Sequence, residues 1–197
     1  MKPLDHLLSI VAELRDPEDG CEWDLRQTYA TLPPHTIEEA YEVEDAVRRK
    51  DYGDLKEELG DLLFQIVFYC QLAAEDERFN FDDVVLAISE KMVSRHPHVF
   101  NRKKIPDGSA SDGAWESIKN QERSRKFEAN CKEKPSSLDG VATTLPALSR
   151  ALKLQKRASM VGFDWPSITP VLEKILEEIN EVEEVLADDP NAERLTD

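Results

Sequence analysis

The chain has 197 residues, 34% of them charged and 40% hydrophobic, with a formal net charge of −16. That profile suits one ordinary soluble domain or two small ones. It excludes a general nucleic-acid or anionic-membrane surface, which needs clustered Lys and Arg, although bound cations can reverse the field locally for a phosphate ligand. Cys21, Cys70 and Cys131 are far apart and odd in number, and read as reduced thiols of a cytoplasmic protein. Asp5, His6 and Glu13 interrupt the apolar start, so it is neither a signal nor a transit peptide. No apolar run approaches the ~20 residues that span a bilayer.

The periodicity is helical nearly throughout, and the expected fold class is all-α. Leu4, Leu7, Leu8, Val11 and Leu14 form one helical stripe that stops at Asp16-Pro17. Pro33-Pro34 breaks the chain, and a helix from about His35 to Arg49 follows. Asp51-Tyr52-Gly53 turns it, and Asp54 with Glu57 resembles a capping box for the next helix. Leu62 to Ala74 carries no charge and is apolar in every direction, which predicts burial on all sides. A lone hairpin cannot supply that cover, so a bundle completed by further helices or by a homodimer partner is expected. More helices are predicted at Phe81–Arg95, Ala114–Glu128, Leu145–Val161 and Ile168–Ala187, with loops at Asn101–Asp112 and Asn130–Gly140. The expected organisation is a first domain over 1–130, a linker over 131–140 and a second domain over 141–197.

Two consecutive helices carry acidic residues at matched spacing, Glu38-Glu39-Ala40-Tyr41-Glu42 and Glu58-Leu59-Gly60-Asp61. Residues three apart share a helix face, and like charges there cost roughly 0.2–0.5 kcal/mol per pair. Hard cations between the two pairs relieve that cost, since Mg²⁺ prefers carboxylate oxygen and keeps waters for a phosphate ligand. At ~100° per residue, Glu39 falls on the core-facing edge of its helix and Glu42 on the border. Glu38 and Asp45 turn towards solvent. On the next helix Glu58, Asp61 and Gln65 share a stripe continued by Phe68 and Leu72. The inward set is therefore Glu39, Glu42, Glu58 and Asp61. The plain alternative is a solvated acidic face in a chain with 41 acidic residues.

The halves look related. Ile37–Val47 aligns without a gap to Leu176–Leu186, and Gly20-Cys-Glu-Trp23 parallels Gly162-Phe-Asp-Trp165. The second copy keeps Glu178 and Glu181 as a half-site, but no Glu-x-x-Asp follows before Asp197. As a sequence it reads as an incomplete copy, from a fragment or a truncated gene, and activity is expected from the first copy.

These motifs, with Asp16–Asp24, Gly60–Gln65, Arg95-His-Pro-His-Val-Phe100 and Val161–Trp165, resemble the MazG family of nucleoside triphosphate pyrophosphohydrolases, which are all-α enzymes. The resemblance covers essentially the whole chain. It implies tandem MazG-like helical units and hydrolysis of an NTP or dNTP to nucleoside monophosphate and pyrophosphate. It also implies Mg²⁺, with Mn²⁺ as a possible substitute, held by Glu39, Glu42, Glu58 and Asp61. One of Glu38 and Glu39 would orient the attacking water, and the sequence does not choose between them. Lys91 and Arg95 match the family's phosphate-binding positions; an ordinary solvated basic pair is the alternative. Trp115 and Lys119 repeat that spacing, with Trp115 stacking on a base or packing in a core, and Trp23 is a weaker stacking candidate. His96 and His98 flank Pro97 at a helix end and are read as structural, since Mg²⁺ prefers oxygen to imidazole. Lys153, Lys156 and Arg157 read as a solvated basic face. The competing function is a helical dimer that holds nucleotide without turnover, its second site being incomplete.

Overall fold

A computed structural model describes residues 2–100 and 136–188. The chain divides into two compact units, Met1–Ser111 and Asp112–Asp197. Among the described residues all regular structure is helical. The expected all-α class holds. The loop at Asn101–Asp112 and the helix at Ala114–Glu128, with Trp115 and Lys119, lie outside the described residues, as does Cys131.

The first unit runs α1 (Pro3–Leu14), α2 (Glu22–Leu25), α3 (Pro33–Arg49), α4 (Tyr52–Glu75), α5 (Phe81–Arg95) and α6 (Pro97–Phe100). Its core is Val11 of α1, Leu32 before α3, and Val67, Phe68 and Leu72 of α4, with Leu7, Leu8, Phe64, Tyr69 and Phe81 packed against them. Phe68 is fully enclosed, and a side chain of that size contributes about 1.5–3 kcal/mol by leaving water. The apolar spacing of α1 thus did predict the face that packs on α4.

Helix α3 begins two residues earlier than expected, because both prolines sit in its first turn. There the missing N–H costs nothing, since those donors lack intrahelical partners anyway. Lys50 then closes α3 in the left-handed region at φ 58°. The predicted capping box at Asp54 and Glu57 is not the cap of α4. Asp51 is: its Oδ1 accepts from the backbone N–H groups of Gly53 and Asp54, each at 3.1 Å. Asp54 lies inside the first turn and pairs with Arg49 instead. The two-residue link between helices folds α4 back along α3, and Thr36 Oγ1 lies 3.3 Å from Tyr69 Oη across the seam. Asn80 and Asp83 form the capping box of α5.

Neither the uncharged part of α4 nor the turn before it is covered all round. Gln65, Val67, Phe68, Cys70, Leu72 and Ala73 are buried, whereas Leu59, Leu63 and Ile66 are 49%, 37% and 40% exposed. Burial on all sides is therefore not achieved by the first unit's own described helices.

In the second unit α7 (Ala147–Ser159) and α8 (Ile168–Asp188) follow the predicted ranges within two residues. Ser136–Gly140 forms a turn before them. Arg157 was expected on a solvated basic face with Lys153 and Lys156. Its Nη1 instead donates to the carbonyl oxygens of Leu138 and Asp139 and holds that turn.

Candidate metal and nucleotide site

The hairpin geometry of α3 and α4 brings one carboxylate from the first helix against two from the second. Oxygens of Glu39, Glu58 and Asp61 all lie within 4.8 Å of one another. Glu39 and Glu58 are half-buried and Asp61 is exposed. The cluster thus opens to solvent on one side.

The electrostatics show the strain of that arrangement. Burial, then the neighbouring Asp61, Glu42 and Glu58, push the Glu39 carboxyl above its ordinary value. Burial, then Glu42, Asp54 and Asp61, push Glu58 up as well. Both shifts have the sign expected when desolvation and like charges disfavour the ionised form. A divalent cation would offset both causes by stabilising the ionised carboxylates. The donors are all carboxylate oxygens, and ligand distances of about 2.0–2.6 Å for Mg²⁺ or Ca²⁺ can bridge their spacing. The residues fit a hard cation. Gln65, one turn deeper on α4, is only 7% exposed, and its Oε1 is enclosed without a hydrogen-bond partner.

The other expected residues are placed as follows. Glu42 is exposed and stands outside the three-residue group, although its charge acts on both Glu39 and Glu58. Glu38 is exposed with its Oε2 at 3.9 Å from His35 Nδ1. Lys91 and Arg95 lie one turn apart on α5, both half-buried. Trp23 meets His35 edge to face at 5.9 Å between ring centroids. His96 is the C-cap of α5, with Nδ1 at 2.7 Å from the Met92 carbonyl oxygen, a structural position. The side chain of His98 lies outside the described residues. In the second unit Glu178 and Glu181 are exposed, and Lys174 Nζ stands 3.1 Å from Glu178 and 2.8 Å from Glu177. That unit also holds an apolar cavity of about 640 Å³ lined by Leu138, Leu154, Ala158, Phe163 and Trp165. Its walls offer little to a triphosphate.

One element escaped the sequence reading. Arg15, just after α1, pairs with Glu75 at the end of α4 and donates from Nη1 to the Asp24 carbonyl oxygen at 2.6 Å. Its guanidinium also lies 5.4 Å from the centroid of the Phe68 ring. Nothing in local spacing links residues so far apart.

Comparison with known proteins agrees with the geometry. Residues 27–100 match the MazG nucleotide pyrophosphohydrolase domain, a span that contains α3 and α4 and the whole carboxylate cluster. The chain is 51% identical over 182 residues to the nucleoside triphosphate pyrophosphohydrolase of Escherichia coli K12, covering 92% of this chain and 67% of that protein. It is 44% identical over 186 residues to the nucleoside triphosphate pyrophosphohydrolase/pyrophosphatase MazG of Thermotoga maritima, covering 94% and 68%. It is also 35% identical to the nucleoside triphosphate pyrophosphohydrolase of Mycobacterium tuberculosis H37Rv, covering 80% and 46%. With a carboxylate cluster inside the matched domain and relatives aligned across most of its length, this chain belongs to the MazG family of nucleoside triphosphate pyrophosphohydrolases.

Proposed function

We propose that the α3–α4 carboxylate cluster is the catalytic centre of a Mg²⁺-dependent hydrolase that splits nucleoside triphosphates into nucleoside monophosphate and pyrophosphate. The observation that carries this reading is the convergence of Glu39, Glu58 and Asp61 within 4.8 Å inside the family-matched span. Those three residues, with Glu42 beside them, would hold the metal. When bound, divalent cations neutralise phosphate charge and lower the pKa of water. Mn²⁺, with similar oxygen preference, would substitute.

The chain's own groups divide the remaining work. Glu39 is engaged in the cluster, so Glu38, its exposed neighbour outside the cluster, takes the role of orienting water and accepting its proton. Lys91 and Arg95 offer two cations at one face of α5 for the phosphates. Trp115 and Lys119, which lie outside the described residues, are assigned to the nucleoside on the family resemblance alone. The second-copy half-site, Glu178 and Glu181, is left out of this assignment, since Lys174 already pairs with Glu178. The complete carboxylate set in the first unit supports turnover over nucleotide holding alone. No described helix is long and apolar enough to cross a membrane, and a homodimer formed through the exposed apolar stripe of α4 fits the part of the helix left uncovered.

The test is a panel of NTPs and dNTPs with Mg²⁺ in which pyrophosphate and orthophosphate are scored separately. Pyrophosphate in step with nucleoside monophosphate is the expected result. Orthophosphate as the first product would overturn the proposal.

A further inference from the structure

Gln65 is the one buried side chain on the carboxylate stripe of α4 whose polar end is unaccounted for among the described residues. At ~100° per residue it projects between Glu58 and Asp61, one turn further into the unit. The facing helix fixes its level. Glu39 of α3 meets Glu58 and Asp61, and Thr36, one turn earlier on α3, meets Tyr69, about two turns beyond Asp61 on α4. Gln65 therefore sits in the seam between the carboxylate cluster and the Thr36–Tyr69 pair. It is 7% exposed, and its Oε1 has no hydrogen-bond partner.

A buried carbonyl without a donor is costly, and an aliphatic side chain of similar size would pack there without that cost. Ionised carboxylates cannot satisfy it, because they only accept, and the Thr36 and Tyr69 hydroxyls are not bonded to it. A donor must come from what the carboxylates themselves attract. Water in the shell of a hard cation donates readily, and the groups around a metal site commonly orient such water.

We propose that Gln65 is a positioning residue of the cation site, its amide oxygen accepting from water held by the cation that Glu39, Glu58 and Asp61 bind. This rests on the catalytic reading of the cluster given above. The arrangement trades stability of the metal-free protein for order in the loaded site.

The experiment compares the full chain with Gln65→Met and Gln65→Glu. Three quantities are measured: the unfolding midpoint in chelator, the calorimetric affinity for Mn²⁺ alone, and kcat and KM for pyrophosphate release. The expected result for Gln65→Met is an unchanged or higher midpoint in chelator, Mn²⁺ binding weakened about 10-fold, and a loss in kcat that exceeds any rise in KM. Unchanged Mn²⁺ affinity in a folded Gln65→Met protein overturns the proposal and leaves Gln65 a packing residue. Should Gln65→Met fail to fold, Gln65→Glu decides: tighter Mn²⁺ binding supports the role, and unchanged or weaker binding overturns it. A wild-type chain that binds no Mn²⁺ overturns the reading of the cluster itself, and Gln65 falls with it; a wild-type chain that binds Mn²⁺ beside an unaffected variant overturns the Gln65 role alone.

Discussion

Arg15 and Glu75 lock the end of α1 to the end of α4 through two parallel hydrogen bonds, Nε to Oε1 at 2.7 Å and Nη2 to Oε2 at 2.5 Å. The Arg15 side chain is 9% exposed and that of Glu75 is 33% exposed. Removing the carboxylate leaves a largely buried cation short of its partner. Glu75→Gln should therefore cost about 1–3 kcal/mol of unfolding free energy, with solvent screening at Glu75 favouring the lower end. The hydrogen bond from Arg15, opposed by burial and aided by Gln71, holds the Glu75 carboxyl below its ordinary value. Its contribution is thus present above the ordinary glutamate range and is lost as pH falls through the lowered value. Urea titrations at stepped pH should show a flatter acid limb in Glu75→Gln than in the wild type. Parallel acid limbs would remove this pair from the account.

Glu39 and Glu58 predict the opposite slope. Their carboxyls are raised, so the stability they contribute is complete below the ordinary glutamate value and is lost as pH rises through the raised one. Without metal, this contribution should fall as pH rises above the ordinary glutamate range, and Glu58→Gln should flatten that loss. With Mg²⁺ the trend should reverse, because the cation binds only the ionised carboxylates. Thermal melts across this range, in chelator and in Mg²⁺, check both signs. Identical curves in the two conditions would mean that no cation occupies the cluster.

How much of this was legible in the sequence follows from the range of each interaction. Helical spacing alone placed Glu39 inward and Glu38 outward, and it put Glu58 and Asp61 on one stripe, because those facts depend on residues within two turns. It counted Glu42 in the inward set, at the border of its helix face, whereas the structure leaves it exposed and outside the three-residue group. The cap of α4 was misplaced by three residues, since Asp51 and Asp54 offer the same side chain and only the backbone turn at Lys50 selects between them. The Arg15–Glu75 lock joins residues 60 apart, and no local rule reaches that far. The open face of α4 also escaped, because an uncharged helix says that cover is needed without saying which chain provides it.

Two glycines should respond in opposite directions to the same substitution. At Gly20, in the turn after α1, a Cβ would stand 2.4 Å from the Asp16 carbonyl oxygen and 2.6 Å from that of Leu14. Those carbonyls also accept the backbone hydrogen bonds of Gly20 and Cys21 that close the turn, so they cannot withdraw. Gly20→Ala should cost about 3 kcal/mol. At Gly60, inside α4, a Cβ meets nothing within 4 Å, and Gly60→Ala should stabilise the helix by up to about 1 kcal/mol. Chemical denaturation of the two variants measures both, and a destabilised Gly60→Ala would reveal a neighbour packed on that face in solution.

Leu59, Leu63 and Ile66 lie on one exposed side of α4, and the proposed homodimer would form through this side. Leu63→Glu puts a charge in its middle. Light scattering should give twice the chain mass for the wild type and half that value for the variant at the same concentration. A variant that keeps the doubled mass would place any dimer contact elsewhere.

Glu38 and Glu39 are adjacent in sequence, yet their side chains have different surroundings, and the proposed roles of water activation and metal holding can therefore be tested separately. Glu39 belongs to the group within 4.8 Å, whereas Glu38 stands beside His35 with a 66% exposed side chain. Glu39→Gln removes one charge from the cation site, so Mn²⁺ affinity and turnover should fall together. Glu38→Gln leaves all three clustered carboxylates in place, so Mn²⁺ affinity should stay within twofold of wild type. Its kcat should nonetheless fall by about 10²–10⁴, the range for removing a group that takes a proton in the transition state. Calorimetry with Mn²⁺ and steady-state pyrophosphate release on the two variants give the comparison. Normal turnover in Glu38→Gln would remove Glu38 from the reaction and leave Glu39, whose carboxyl is raised, as the next acceptor to test.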